Sequence, residues 1–221
     1  TSAYASTLFA DRARGIYSAM LRFGSPIYEE GMTKVIKVKV TPEEAEKFGL
    51  PVGTEIGGLI DIFKPLYNRE GGNLEEIYKY YSIVQRGKRL SEKKDKEGNF
   101  IVVPTTQEDA NNLLALEIKY PELKKVYAQY QLWNNRLIDF ATKAGLLNEA
   151  TGEMWKDFAD YYPFYRQFEG DDEMRGPRIF SGIVGANIGK ELKGGEDPIN
   201  VPMLDAVLKN ALALTTASMK N

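Results

Sequence analysis

The stretch from Pro121 to Gly145 constrains the fold more than any other. Leu123, Val126, Tyr127, Tyr130, Trp133, Leu137, Ile138, Ala141 and Ala144 recur at three- and four-residue spacing, which sets them along one stripe of an α-helix. Such a stripe is stable only when other elements cover it. Pro121 suits the first turn, where its missing N–H would have been unpaired anyway, and Gly145 can take the left-handed conformation that closes the last turn. Asn134 and Asn135 sit mid-helix beside Trp133, where asparagine is a weak helix former, so at least one is expected to make a specific polar contact. After Gly145, Asn148 or Thr151 can cap a short helix carrying Met154, Trp155, Phe158 and Ala159. Tyr161-Tyr162-Pro163-Phe164-Tyr165-Arg166 then leads out as extended chain, because the residue before a proline avoids helical geometry.

Other segments show the same helical period. From Ser6 to Phe23, Leu8, Phe9, Ala13, Ile16, Tyr17, Met20 and Leu21 form a stripe that ends at Gly24-Ser25-Pro26. Asn73 begins a helix with Glu75 and Glu76 in its first turn and Ile77, Tyr78, Tyr81, Val84 and Gln85 behind them. Thr105-Thr106-Gln107-Glu108 fits a capping box leading to Leu113, Leu114 and Ile118, and the segment from Val201 reads as a closing helix with a thin polar face. Two runs read differently. Met32 to Val40 alternates apolar residues with lysines, the period of a half-buried strand, and Phe100 to Val103 is a second short apolar run that can pair with it. Between them, Thr41-Pro42-Glu43-Glu44 carries a helix start with Thr41 as cap and Glu44 placed to bond back. Glu55 to Tyr67 is an apolar segment interrupted at Pro65.

The expected fold is therefore mainly α, a packed set of helices with one small β ribbon joining about 32–40 to 99–103. The expected division is an N-terminal helix and strand segment over 1–56 and a helical domain over 57–221.

Composition decides what chemistry is open to such a fold. With Cys 0 and His 0 there is no disulfide framework, no thiolate nucleophile, no Ser-His-Asp triad and no Cys/His metal site. The 29 Lys and Arg nearly balance 31 Asp and Glu, so no whole-molecule field draws the chain to nucleic acid or an anionic membrane. No apolar run approaches the roughly 20 residues of a membrane-spanning helix. The chain opens on Thr1 and stops at Asn221 within a helical pattern, which reads as a piece of a longer polypeptide.

Local candidates remain. Arg86, Lys88, Arg89, Lys93 and Lys94 are dense enough to meet phosphates, though Glu92, Asp95 and Glu97 dilute them. Trp133, Asn134, Trp155, Tyr162, Pro163, Phe164, Tyr165 and Arg166 are candidate packing or interaction residues, and the last five also have the aromatic and Arg content of a base-stacking strip. Asp171-Asp172-Glu173 lacks the alternating ligands of a calcium loop, and Gly182 to Glu191 fails as a phosphate cradle because Val184 and Glu191 stand where Gly and Ser or Thr are needed. No catalytic, cofactor-binding or metal-ligating residue emerges.

Taken in order, GGLIDIFKPLY, RGKRL, KYPEL, LWNNRLIDFATKAGLL, YYPFYR, a Lys-Gly break with Asp-Pro, and a helix ending in Lys-Asn form a series. This series, from about Gly57 to Asn221, resembles the large polyvalent protein-associated regions of phage and prophage polypeptides, and similar stretches of the giant internal virion proteins that podophages eject with their DNA. Leu21-Arg22-Phe23-Gly24 partly echoes a short motif of such proteins, with Ala19 and Met20 departing from it. The resemblance implies a helical structural segment of a phage internal virion or ejection protein. Its expected location is the virion interior, or the host cytoplasm after delivery. Its expected partners are other copies of itself, other virion proteins such as portal or internal core, and phage DNA, with no small-molecule substrate and no cofactor. It also implies that catalytic modules lie elsewhere in a parent chain. The other function class is a nucleic-acid-binding segment of a polyvalent antirestriction or DNA-processing protein.

Overall fold

Helix α1 (Ser2–Arg22) opens the chain in the computed structural model, which describes residues 2–67, 72–92, 98, 106–157 and 202–220. Strands β1 (Ser25–Glu29), β2 (Met32–Ile36) and β3 (Val38–Lys39), helix α2 (Pro42–Phe48) and strand β4 (Glu55–Ile56) follow. Helices α3 (Leu59–Tyr67), α4 (Glu75–Ser91), α5 (Gln107–Lys119), α6 (Glu122–Lys143), α7 (Glu149–Asp157) and α8 (Met203–Lys220) complete the order. The protein is mainly α-helical, with two small two-stranded antiparallel sheets, β1 with β2 and β3 with β4, among the described residues.

The ribbon exists, and among the described residues the partner of Met32–Ile36 is the strand just before it. Met32–Ile36 pairs with Ser25–Glu29, from Ser25 opposite Ile36 to Glu29 opposite Met32, and Val38–Lys39 pairs separately with Glu55–Ile56. The reason is local. Glu30 and Gly31 both have positive φ, 50° and 74°, the geometry of a two-residue hairpin turn whose twist matches its strands. Residues 99–103 lie outside the described residues.

Helix ends follow their caps. Thr41 Oγ1 accepts the Glu44 N–H at 3.2 Å while a Glu44 carboxylate oxygen accepts the Thr41 N–H at 2.9 Å, the reciprocal box expected there. On α5 the box is shifted by one residue: Thr106 is the cap and Asp109 its partner, where Thr105 and Glu108 were expected. Asn148 Oδ1 takes the Thr151 N–H at 2.8 Å at the start of α7. Pro121 immediately precedes α6, and Gly145, at φ 81°, follows it.

Helix α6 runs through the centre. Leu123, Val126, Tyr130, Trp133, Leu137 and Ala141 are buried as the stripe requires, but burial continues without a break from Tyr130 to Ile138, around the whole circumference. Strand β1, α2, α3, α4, α5, α7 and α8 all pack on it. Phe63 of α3 meets Tyr130 with ring centroids 5.5 Å apart, and Tyr81 of α4 stands edge-on to Tyr127 at 5.7 Å. Helix α8 lies against α1 and α6 and places Thr215 Oγ1 3.4 Å from Met20 Sδ. Two glycines let backbones touch. A Cβ on Gly24 would stand 2.0 Å from the Ile36 carbonyl oxygen, and one on Gly58 would stand 2.4 Å from that of Leu21, so no larger residue fits at either place. The buried core draws on both sides of residue 56, with Met20, Val40 and Ile56 joining Leu59, Tyr78 and Trp133 in one cluster.

Candidate functional site

The densest gathering of unusual side chains is the middle of α6, where Gln131, Trp133, Asn134, Asn135 and Arg136 are all buried. Two of them reach backward to the first fifty residues. Trp133 is 1% exposed, and its indole Nε1 donates to the Gly24 carbonyl at 2.9 Å, at the point where α1 gives way to β1. One turn on, Arg136 directs Nη2 at both carboxylate oxygens of Glu44, at 3.1 and 3.0 Å, and donates to the Val38 and Lys39 carbonyls at 3.3 and 3.4 Å. A guanidinium fits this task because its flat array of donors meets a carboxylate and backbone oxygens together. Glu44 thus serves twice, capping α2 and holding Arg136. A cavity of about 200 Å³ beside this pair is lined by Pro26, Tyr28, Val38, Glu44, Arg136 and Asp139. The Arg136 guanidinium that borders it is already bonded to Glu44 and two carbonyls, and this clamp fastens β3 and α2 to the central helix.

The amides behave differently. Gln131 Nε2 and Oε1, Asn134 Nδ2 and Asn135 Oδ1 are buried without a hydrogen-bond partner, as are Asn210 Oδ1 and Ser218 Oγ on α8. The polar contact expected of Asn134 or Asn135 is thus not made by these atoms. Gln131, Asn134 and Asn135 share one face of α6 by their spacing. Each orphaned group costs about 1–3 kcal/mol relative to a satisfied or apolar replacement.

A second polar knot joins α4 to α5. Tyr81 Oη donates to Glu117 Oε1 at 2.8 Å, and Gln85 Nε2 donates to both Tyr81 Oη at 2.9 Å and Glu117 Oε1 at 3.2 Å. Burial, reinforced by Glu117, pushes the Tyr81 phenol well above its ordinary value, and burial together with Glu75 does the same to Tyr67. On α7, burial works against the Lys156 ammonium, but hydrogen bonds to Asp139 and Glu153 outweigh it and leave its pKa raised.

The other sequence candidates scatter. Trp155 is half-buried on α7 with its Nε1 buried and unpartnered. Arg86 is half-buried and engaged, while Lys88 and Arg89 are exposed in the last turn of α4, where their charge complements the helix dipole. Lys93, Lys94, Tyr162, Pro163, Phe164, Tyr165 and Arg166 lie outside the described residues. The sequence reading missed Arg136 and Gln131, and it read Glu44 only as a cap, not as the partner of Arg136. The available signal was an arginine one turn beyond a tryptophan and directly before Leu137 and Ile138 of the apolar stripe, where an unpaired charge is untenable.

Among the described residues no group of three or more acidic side chains is placed to hold a metal ion, and no helix is long and apolar enough to cross a membrane. Comparison with protein-family models, with curated proteins and with solved structures finds no match to this chain.

Proposed function

We propose that this chain is a structural, non-enzymatic helical segment of a phage internal virion or ejection protein, one that packs or oligomerises in the particle and aids genome delivery. One observation carries the reading: residues quoted for the family resemblance are the residues that build the core. GGLIDIFKPLY supplies Leu59, Ile62, Phe63 and Leu66, and LWNNRLIDFATKAGLL supplies Leu132, Trp133, Leu137, Ile138, Phe140, Ala141 and Leu147, all buried. A sequence pattern written in core positions specifies a shape. Trp133 and Arg136, the side chains with most chemical potential, are committed to backbone carbonyls and Glu44. Such a unit serves as a spacer or packing block within a longer chain.

Mass spectrometry of purified particles, before and after protease treatment of intact capsids, tests the proposal. Peptides of this chain should be present, continuous with a longer polypeptide, and shielded from protease until the capsid opens. Their confinement to infected-cell cytosol would refute the assignment.

A further inference from the structure

Helix α8 is fastened by a different kind of contact from those that hold its neighbours. Arg136 pairs with Glu44 to hold α2, the Trp133 indole holds the chain where α1 gives way to β1, and Lys156 of α7 reaches Asp139 of α6 at 2.8 Å. In each case a donor meets an acceptor on another element. The buried stripe of α8 runs through Met203, Ala206, Val207, Ala211 and Leu214, and helical spacing sets Asn210 and Ser218 among them rather than at the margin. Asn210 Oδ1 and Ser218 Oγ are enclosed there without a partner. Thr215, fully buried beside them, meets the Met20 thioether at 3.4 Å, a weak acceptor. Buried polar atoms are so regularly paired that two orphans in one stripe call for a reason.

Each orphan bonds to water when α8 stands free and to nothing when α8 is docked, so each favours release, while the apolar side chains favour docking. Ala206 and Ala211 add little area to the docked side of that balance. The body survives the loss. Helix α8 packs against α1 and α6, and without it α1 keeps β1, β2 and α3 while α6 keeps β1, α2, α3, α4, α5 and α7. We propose that α8 is a releasable helix: it leaves α1 and α6 as one unit, with the rest of the fold intact, in an equilibrium that lies on the docked side. Release bares Met20 on α1 and the apolar stripe of α8 together. It is a property of the chain alone and does not depend on a place in a particle.

The chain has no cysteine, so one introduced thiol reports on one place. Ala211→Cys sets it in the α8 stripe and Ala141→Cys in α6, both at positions closed in the docked fold. With a chromogenic thiol reagent and no urea, the thiol at 211 should react about tenfold or more faster than the thiol at 141. Its rate should also climb less steeply with urea, because release exposes less surface than global unfolding, and the two rates should merge near the unfolding midpoint. Ser218→Ala removes one orphaned hydroxyl and should slow labelling at 211 by about fivefold. Equal rates at 211 and 141 at every urea concentration overturn the proposal, as does a Ser218→Ala chain whose thiol at 211 reacts no more slowly. Where a cysteine variant does not fold, hydrogen exchange of the unsubstituted chain reads the same event: the amides of residues 207–215 should exchange faster than those of 130–138 and with one shared urea slope. Exchange of 207–215 through global unfolding alone overturns the proposal, as does a set of unrelated slopes within α8.

Discussion

Trp133→Phe is the substitution whose consequence is most fully determined by the structure. It removes the indole N–H that lies 2.9 Å from the Gly24 carbonyl, in a place where Trp133 is 1% exposed and Gly24 is buried, so no water replaces the lost donor. An orphaned buried carbonyl costs about 1–3 kcal/mol. The smaller ring leaves a void worth about 1 kcal/mol more, because a packed core relaxes only partly. The sum, about 2–4 kcal/mol, is a large share of the roughly 5–15 kcal/mol by which domains of this kind are stable. With a urea slope of about 2 kcal/mol per molar, the midpoint followed by circular dichroism should fall by about 1–2 M. Trp155→Phe is the control, since its Nε1 donates to nothing and the side chain is only half-buried, so its midpoint should not fall by more than about 0.5 M. Equal small shifts for the two variants would refute the reasoning, because they would mean that the Trp133 indole is neither enclosed nor bonded.

Gln131→Met should stabilise the chain by about 1–3 kcal/mol in the same urea assay, since both polar atoms of the glutamine are buried without partners and methionine has a similar shape; a loss of stability would show that those atoms are satisfied. In alkaline spectrophotometric titration, Tyr81 and Tyr67, and Tyr17 with them, should resist ionisation as pH passes the ordinary tyrosine value of about 10. A raised folded-state value means that stability is intact below the unfolded tyrosine value of about 10 and is lost as pH climbs through the folded value, so unfolding should begin on the alkaline side. Ionisation of Tyr81 and Tyr67 at the ordinary value with full retention of helix would contradict this.

What the sequence made legible was whatever is written locally. The Thr41 and Glu44 box, Pro121 and Gly145 at the ends of α6, and the buried Ala13 and Met20 of α1 and Tyr78 and Tyr81 of α4 depend on neighbours within one or two turns, and periodicity reads those directly, although Leu8 on the same α1 stripe is exposed. The β1–β2 hairpin was hidden because Ser25-Pro26 looks like a helix terminator and only the Glu30-Gly31 turn, unremarked, announces it. Choosing between Thr105 and Thr106 as the α5 cap needed backbone geometry, because Glu108 and Asp109 stand at equivalent offsets. The larger omission was the circumference of α6. Gln131, Asn134, Asn135 and Arg136 interrupt any apolar pattern, so a one-sided stripe is all that periodicity can offer, while β1, α2, α7 and α8 close over the polar sides as well. Arg136 joining residues some ninety positions earlier is a long-range event, set by how the chain returns on itself and invisible in any window of sequence.

Native-state hydrogen exchange tests most directly whether α6 is the enclosed rod on which the other elements are hung. The amides of residues 130–138 should exchange only through global unfolding, more slowly than those of residues 111–118 on the outward-facing α5. Exchange of the two segments at the same rate would contradict the account.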